Sequence, residues 1–377
     1  MGTAARSMYL PDPVPPSLLV LSEYRSIVTC RPEAEVFVDL CRAGFPVTVM
    51  TTPDSPYLSR FQEAGVRVVP WHPRGKVDRA EVRRLRAELA AGGHAVAFAF
   101  NNRALGTAAW AARGLPVKLV AYRGFDGNLG WWDPTNYLKF LHPRIDAYWC
   151  NAESVRETLR RNLFFGRDRA VAIAKGHDPG WYDGTPKTDL RALGVPAGAF
   201  AVACVGEVRR SKAVLDLVEA TRFLPPAPPL HFVLAGPGTD APGFRRRVAN
   251  GPRADRFHLL GYREDALQLM AACDGYVLPS RWGESLTRSL VEAMCVGVPP
   301  VITDLPGNRG VVIDGACGRV VPPANPRALA AALADLASDR DRARAWGAAA
   351  RAHIARRWSH AQTVEQVRAL VERLATT

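Results

Sequence analysis

Two glutamates, Glu284 and Glu292, lie with seven residues between them in the stretch GYVLPSRWGESLTRSLVEAMCVGVPPVITD, which runs from Gly275 to Asp304. Leu286, Leu290, Val291, Met294 and Cys295 recur at helical spacing between two β-prone apolar ends. The stretch therefore reads strand, loop, helix, strand, with Gly297 placed for a left-handed helix end and Pro299 just beyond it. Such a unit demands a parallel sheet. Glu284 falls in the loop and Glu292 about two turns into the helix. Backbone N–H groups at Ser285, Leu286 and Thr287 stand at the helix start, where an anion, phosphate above all, is favoured. Carboxylates on either side would be repelled by that phosphate unless each faced neutral hydroxyls. A sugar nucleotide, with a sugar at one end and a ribose at the other, meets both demands.

A complementary set of cations follows an earlier strand, predicted over Ala199 to Val205. The segment Gly206-Glu207-Val208-Arg209-Arg210-Ser211-Lys212 puts Arg209 and Lys212 three residues apart before a helix predicted from Val214 to Thr221. Two cations so placed form a diphosphate clamp. The next strand, His231 to Ala235, ends in Gly236-Pro237-Gly238, a further loop on the same sheet edge.

The elements that must position these groups alternate along the whole chain. Strands are expected at residues 17–21, 46–51, 66–70, 95–99, 117–122 and 146–150, with helices between them, among them Glu35 to Ala43 after a long loop. This is a doubly wound α/β pattern whose ligands bind beyond the carboxyl ends of the strands. Asn101-Asn102-Arg103 and Arg123-Gly124 are such strand exits. An arginine-rich helix with Arg156, Arg160 and Arg161, followed by Phe164-Phe165, can lie on anionic lipid or stand as a solvated face whose aromatics plug the domain. The predicted order is a disordered tail over 1–16, a first domain over 17–185, a second over 186–358 and a terminal helix over 359–377.

At 377 residues the chain suits two domains, and its 48% hydrophobic and 23% charged residues are those of an ordinary globular protein. Seven cysteines without a C-x-x-C pair read as buried free thiols rather than disulfides or zinc ligands. The net charge of +13 is spread evenly, with 24 basic against 18 acidic residues up to residue 185 and 25 against 18 beyond it. No basic stripe with interleaved aromatics stands out, which argues against a nucleic-acid partner. With no long apolar run and no secretory pattern at its start, the chain is expected in the cytoplasm.

Glu284, seven residues, Glu292, then Ala293-Met294, Gly297 and Pro299 resembles the E-x7-E signature of retaining glycosyltransferases of family 4, which have the GT-B fold. The resemblance implies two Rossmann-like domains facing across a cleft, the first for an acceptor and the second for a nucleoside diphosphate sugar. It implies Glu284 on donor-sugar hydroxyls, Glu292 on the ribose, Lys212 and Arg209 on the diphosphate, and Tyr262 and Arg263 in a loop against the base. Arg123 stands where relatives have the His of a His-Gly pair. It can grip an anionic group of donor or acceptor, or hold the following loop, in which one of Trp131 and Trp132 is expected to pack.

The resemblance also implies transfer with retention, in which the leaving phosphate takes the acceptor's proton, with no cofactor and no metal. Asp339-Arg340-Asp341 matches the metal-binding triplet of another glycosyltransferase fold, but its distance from the proposed site makes it a chance match. Expected partners are the donor, a glycan or glycolipid acceptor of the cell envelope, and an anionic membrane as a peripheral contact. A sugar-nucleotide epimerase or phosphorylase of the same fold, or a non-catalytic binder, would share much of this pattern.

Overall fold

The computed structural model describes residues 15–75, 77–127 and 129–377. The tail expected over 1–16 lies almost wholly outside the described residues, as does Asn128. Two parallel sheets form the framework. The first has seven strands: β1 (Leu18–Leu21), β2 (Val47–Thr51), β3 (Arg67–Pro70), β4 (Val96–Ala99), β5 (Lys118–Arg123), β6 (Ala147–Cys150) and β7 (Ala170–Ala172). Their order is β3-β2-β1-β4-β5-β6-β7. The second has six, β8 (Phe200–Val205), β9 (Leu230–Ala235), β10 (Phe257–Leu259), β11 (Gly275–Leu278), β12 (Pro300–Thr303) and β13 (Arg319–Val321), in the order β10-β9-β8-β11-β12-β13. Contacts divide the chain into two compact units, one of residues up to 121 with 134–147 and 366–377, the other of 122–133 and 148–365.

Around the first sheet lie α1 (Ile27–Arg42), α2 (Leu58–Glu63), α3 (Arg79–Ala91), α4 (Asn102–Ala111) and α5 (Glu153–Asn162). Side-chain caps fix several starts: Asp78 accepts from the amides of Ala80 and Glu81 before α3, and Asn101 from Arg103 and Ala104 before α4. The first helix corrects the sequence reading, which began it at Glu35. It starts at Ile27, with Ser26 as its cap and Pro32 inside. A proline in a helix interior costs about 3 kcal/mol. The buried Ala34, Val36, Phe37, Val38 and Leu40 outweigh that cost.

Around the second sheet lie α6 (Val214–Ala220), α7 (Pro242–Ala249), α8 (Ala266–Ala272), α9 (Arg288–Cys295), α10 (Pro326–Ser338) and α11 (Arg340–Arg357); α12 (His360–Ala375) ends the chain. Alternate residues of each strand feed two cores. Ala201, Ala203, Val233, Tyr276 and Ile302 join one, while Phe200, Val202, Phe232, Val277 and Val301 join the other. Both faces of the sheet are thus covered, as a parallel sheet requires. Gly297 has φ +77°, the left-handed helix end that the sequence predicted. Asp339, first residue of the Asp-Arg-Asp triplet, caps α11 by accepting from the amides of Asp341 and Arg342.

Candidate active site

The site grows from the exit of β8. After Gly206 the chain turns through Arg210–Lys212 into Ala213, whose φ of +47° is left-handed backbone that a residue with a Cβ adopts at a cost of roughly 1–2 kcal/mol. Strain of this kind persists where the surroundings hold it in place. Here Arg281 donates its amide to the carbonyl of Ser211 at 2.7 Å, and its guanidinium grips Asp216 of α6 through two bonds of 2.7 Å. Lys212 is thereby pinned between the strand exit and the helix. Gly236 closes this corner: a Cβ there would lie 2.1 Å from the carbonyl oxygen of Gly206.

Lys212 meets Glu284, its Nζ 2.7 Å from Oε1 and 3.0 Å from Oε2. Two hydroxyls complete the carboxylate: Ser280 donates to Oε1 at 2.6 Å and Thr287 to Oε2 at 2.6 Å. Ser280 is itself anchored, its carbonyl accepting from Thr303 of β12 at 2.6 Å. Glu284 is 8% exposed, so its charge is held in a largely dry place by one ammonium and two hydroxyls. The backbone beside it is fixed by close packing, since a Cβ on Gly307 would fall 2.0 Å from the carbonyl oxygen of Glu284.

The helix start differs in detail from the sequence reading. Thr287 is the N-cap, α9 begins at Arg288, and Glu292 therefore stands one turn in rather than two. The amide of Thr287 is taken by Oδ1 of Asn308 at 3.2 Å, so the anion-binding backbone is reduced to its neighbours. Leu286 places its side chain in the core, leaving only its backbone for a ligand. Ser285 Oγ donates to the carbonyl of Gly124 at 2.9 Å and accepts from Asn151 Nδ2 at 3.2 Å, so its hydroxyl ties the loop down. Ser289 and Tyr276 share a 2.8 Å bond, and Ser289 donates to the carbonyl of Val205 at 3.1 Å, which joins the first turn of α9 to the end of β8.

Glu292 is 5% exposed, and burial pushes its carboxyl up from the ordinary 4.5 to about 7, against the pull of Arg288. The Nε of Arg288 lies 3.3 Å from Oε1, yet that oxygen has no hydrogen-bond partner among the described residues. Asn308 Nδ2 and Asn151 Oδ1 are likewise buried without partners. Three buried polar atoms without partners among the described residues thus lie on residues that border one helix start.

Other expected residues fall differently. Arg209 turns to Glu207, with Nε 2.7 Å from its carboxylate, rather than to Glu284. Arg263 is held by Asp265 through two bonds of 2.7 and 2.6 Å. Tyr262 is 70% exposed and open to a partner. Arg123 is buried, its guanidinium donates to the carbonyl of Gly127, and burial lowers its pKa; this is the loop-holding arrangement. Trp131 and Trp132 are both exposed, at 59% and 72%. The sequence reading packed one of them, but Leu129 fills that apolar role instead.

Ser280, Asn308 and Asn151 had no role assigned from the sequence. Ser280 alone carried a signal, since it lies four residues before Glu284 at a strand exit. All seven cysteines are free, and burial raises Cys150 and Cys204 to about 12, far from reactive thiolates. Among the described residues, no group of three or more His, Cys, Asp or Glu is placed to hold a metal, and no helix is long and apolar enough to cross a membrane.

Comparison with known proteins finds two family patterns in the chain. The family described as Glycosyltransferase Family 4 matches residues 36–181, and that described as Glycosyl transferases group 1 matches 187–353. D-inositol 3-phosphate glycosyltransferase of Corynebacterium urealyticum is 32% identical over 196 residues, 49% of this chain and 46% of that protein. Phosphatidyl-myo-inositol mannosyltransferase of Mycolicibacterium smegmatis is 32% identical over 175 residues, 45% of this chain and 43% of that protein. The chain spans about half the length of the curated relatives it matches.

Among solved structures, a glycosyltransferase from Rickettsia africae superposes with a TM-score of 0.78 at 15% identity, covering 96% of this chain and 98% of that one. HepE of Anabaena, solved with UDP and glucose, superposes at 0.74 and 20% identity, covering 95% and 100%. Identities this low speak for the GT-B fold alone. With one family pattern over residues 36–181 and a second over 187–353, the chain belongs to the glycosyltransferases of family 4.

Proposed function

We propose that the protein transfers a sugar from a nucleoside diphosphate sugar to an acceptor hydroxyl, with retention at the anomeric carbon and without a metal. The observation that carries this reading is the meeting of Lys212 and Glu284, 72 residues apart in sequence, at the start of α9. Departure of the diphosphate develops negative charge, which Lys212 and the amides of Ser285 and Leu286 would stabilise in a site largely shut off from water. Glu284, oriented by Ser280 and Thr287, would accept from hydroxyls of the donor sugar, and Glu292 from those of the ribose. With Arg209 held by Glu207, Lys212 is the principal diphosphate cation, and Arg209 would join only by leaving that partner. Among the described residues no side chain stands out as a base, so the leaving phosphate would take the acceptor's proton.

The acceptor is a glycan or glycolipid of the cell envelope, a reading supported by the mannosyltransferase relative that acts on phosphatidyl-myo-inositol. Work in the cytoplasm at the inner membrane face fits Phe164 and Phe165, which are 60% and 84% exposed beside Arg161 and Arg167. The test is incubation with a panel of nucleotide sugars, UDP-glucose first, in chelator, with phosphatidylinositol and with water as acceptors. The product's anomeric proton coupling by NMR reports stereochemistry. Transfer with an inverted product would reject retention. Free sugar phosphate released without acceptor would favour a phosphorylase, a changed donor sugar an epimerase, and no turnover a silent binder.

A further inference from the structure

Arg288 is the first residue of α9, the end of a helix where a cation is disfavoured by the macrodipole. It also stands before its acidic partner in sequence, the less favourable order for a pair four residues apart. Helix stability therefore gives no reason for an arginine here. Its one ion-pair partner among the described residues is Glu292, at 3.3 Å.

The surroundings of Glu292 leave that task to Arg288. β11 offers Tyr276, whose hydroxyl is occupied by Ser289. β12 (Pro-Val-Ile-Thr) and α8 (Ala-Leu-Gln-Leu-Met-Ala-Ala) carry no titratable side chain. α11 offers Arg351, but its guanidinium goes to the carbonyl of Cys295 and to Asp183. The thiol of Cys295 on α9 itself is held neutral by burial.

We propose that Arg288 is a positioning residue that favours the charged form of the Glu292 carboxylate, so that Glu292 can accept hydrogen bonds from the vicinal diol of a donor ribose. The role of Glu292 toward the diol rests on the reading given above; the role of Arg288 toward Glu292 does not. Arg288 touches the carboxylate by charge and leaves Oε1 without a hydrogen bond. That is what a diol acceptor needs: a counter-charge that does not consume the oxygen. A neutral carboxyl would present a proton where the diol presents its own.

The test needs no ligand. Glutamate labelled with 13C at the side-chain carboxyl, compared between the wild type and Glu292→Gln, isolates the Glu292 titration. In Arg288→Gln the Glu292 midpoint should rise by about one pH unit, a tenfold change in ionisation constant, and Arg288→Lys should restore it. An unchanged midpoint in Arg288→Gln would overturn the proposal. Titration with UDP separates the underlying reading. If Glu292→Gln binds UDP as the wild type does, or neither binds it, the diol role of Glu292 loses its support while the NMR result on Arg288 stands. Loss of UDP affinity in Arg288→Gln that is equal at every pH, with the midpoint unmoved, would instead make Arg288 a direct contact of the phosphates and sink the positioning role.

Discussion

Glu35 and Glu292 are alike in burial and unlike in how their carboxylates are satisfied. Both lie on helices beside parallel strands, 8% and 5% exposed. Glu35, on α1, is closed by Arg60 through two bonds of 3.0 and 2.7 Å, a paired fork that satisfies both oxygens. Glu292 has a cation at 3.3 Å and an oxygen with no donor. The same contrast extends to its neighbours: Glu23, near the end of β1, is shared by Arg25 and Arg103, whereas Asn308, after β12, keeps a buried amide without a partner. Burial of charge alone does not mark a site. An incomplete shell, at a cost that folding must carry, points to a ligand that completes it.

The largest expected effect falls where the two kinds of shell meet, at Glu284. Its carboxylate is fully supported, yet its support includes Lys212, the proposed diphosphate cation. Glu284→Gln keeps the shape and removes the charge, so transfer should drop ~1,000-fold, while the melting temperature moves by only a few degrees. Full activity in this variant, measured as nucleoside diphosphate release, would break the assignment.

Glu292→Gln sharpens the comparison through stability. The folded carboxyl titrates at about 7 instead of 4.5, so between these values the folded protein holds a proton that the unfolded chain releases. The contribution of this one carboxyl to wild-type stability therefore falls as pH rises through that window. The variant, which does not titrate, should equal the wild type near pH 4 and exceed it by about 3 kcal/mol at pH 8. Urea unfolding at the two pH values checks this, and parallel behaviour would mean that Glu292 is not an open, desolvated acid.

Gly307→Ala tests the backbone. A Cβ 2.0 Å from the carbonyl of Glu284 must push the loop. A shift near 1 Å at the reacting centre costs on the order of 100-fold in kcat, with donor binding impaired as well; unaltered turnover would show that the loop can give way. The smallest effect belongs to the closed shell. Arg60→Ala leaves Glu35 with Tyr57 OH at 3.5 Å, and should cost about 2 kcal/mol in stability with kcat of the folded enzyme unchanged. A loss of kcat without loss of stability would mean that the closed shell also serves catalysis.

Much of this was legible in the sequence, because the second sheet is built from short apolar strands punctuated by glycine. The strand exits and the helix end at Gly297 follow from periodicity and turn chemistry, and the Glu284 and Glu292 pair and Lys212 stand out by their place in those elements together with the family resemblance. The start of α1 did not, since Pro32 reads as a break and the buried face that overrides it is a tertiary fact. The partners of Glu284 were hidden for the same reason: nothing local says that Ser280 and Thr287 turn toward one carboxylate, or that Glu207 takes Arg209. Asn308 and Asn151 are ordinary polar residues in the chain, and become notable only when folding buries atoms that nothing satisfies.

The most direct measurement is a calorimetric titration of the wild type and Lys212→Ala with UDP, GDP, ADP, CDP and dTDP. The account predicts that at least one nucleoside diphosphate binds the wild type and that Lys212→Ala weakens it at least ~10-fold, about 1.4 kcal/mol. Binding of that nucleotide with equal affinity to both proteins, or of none to either, would contradict the placement of the donor site at the start of α9.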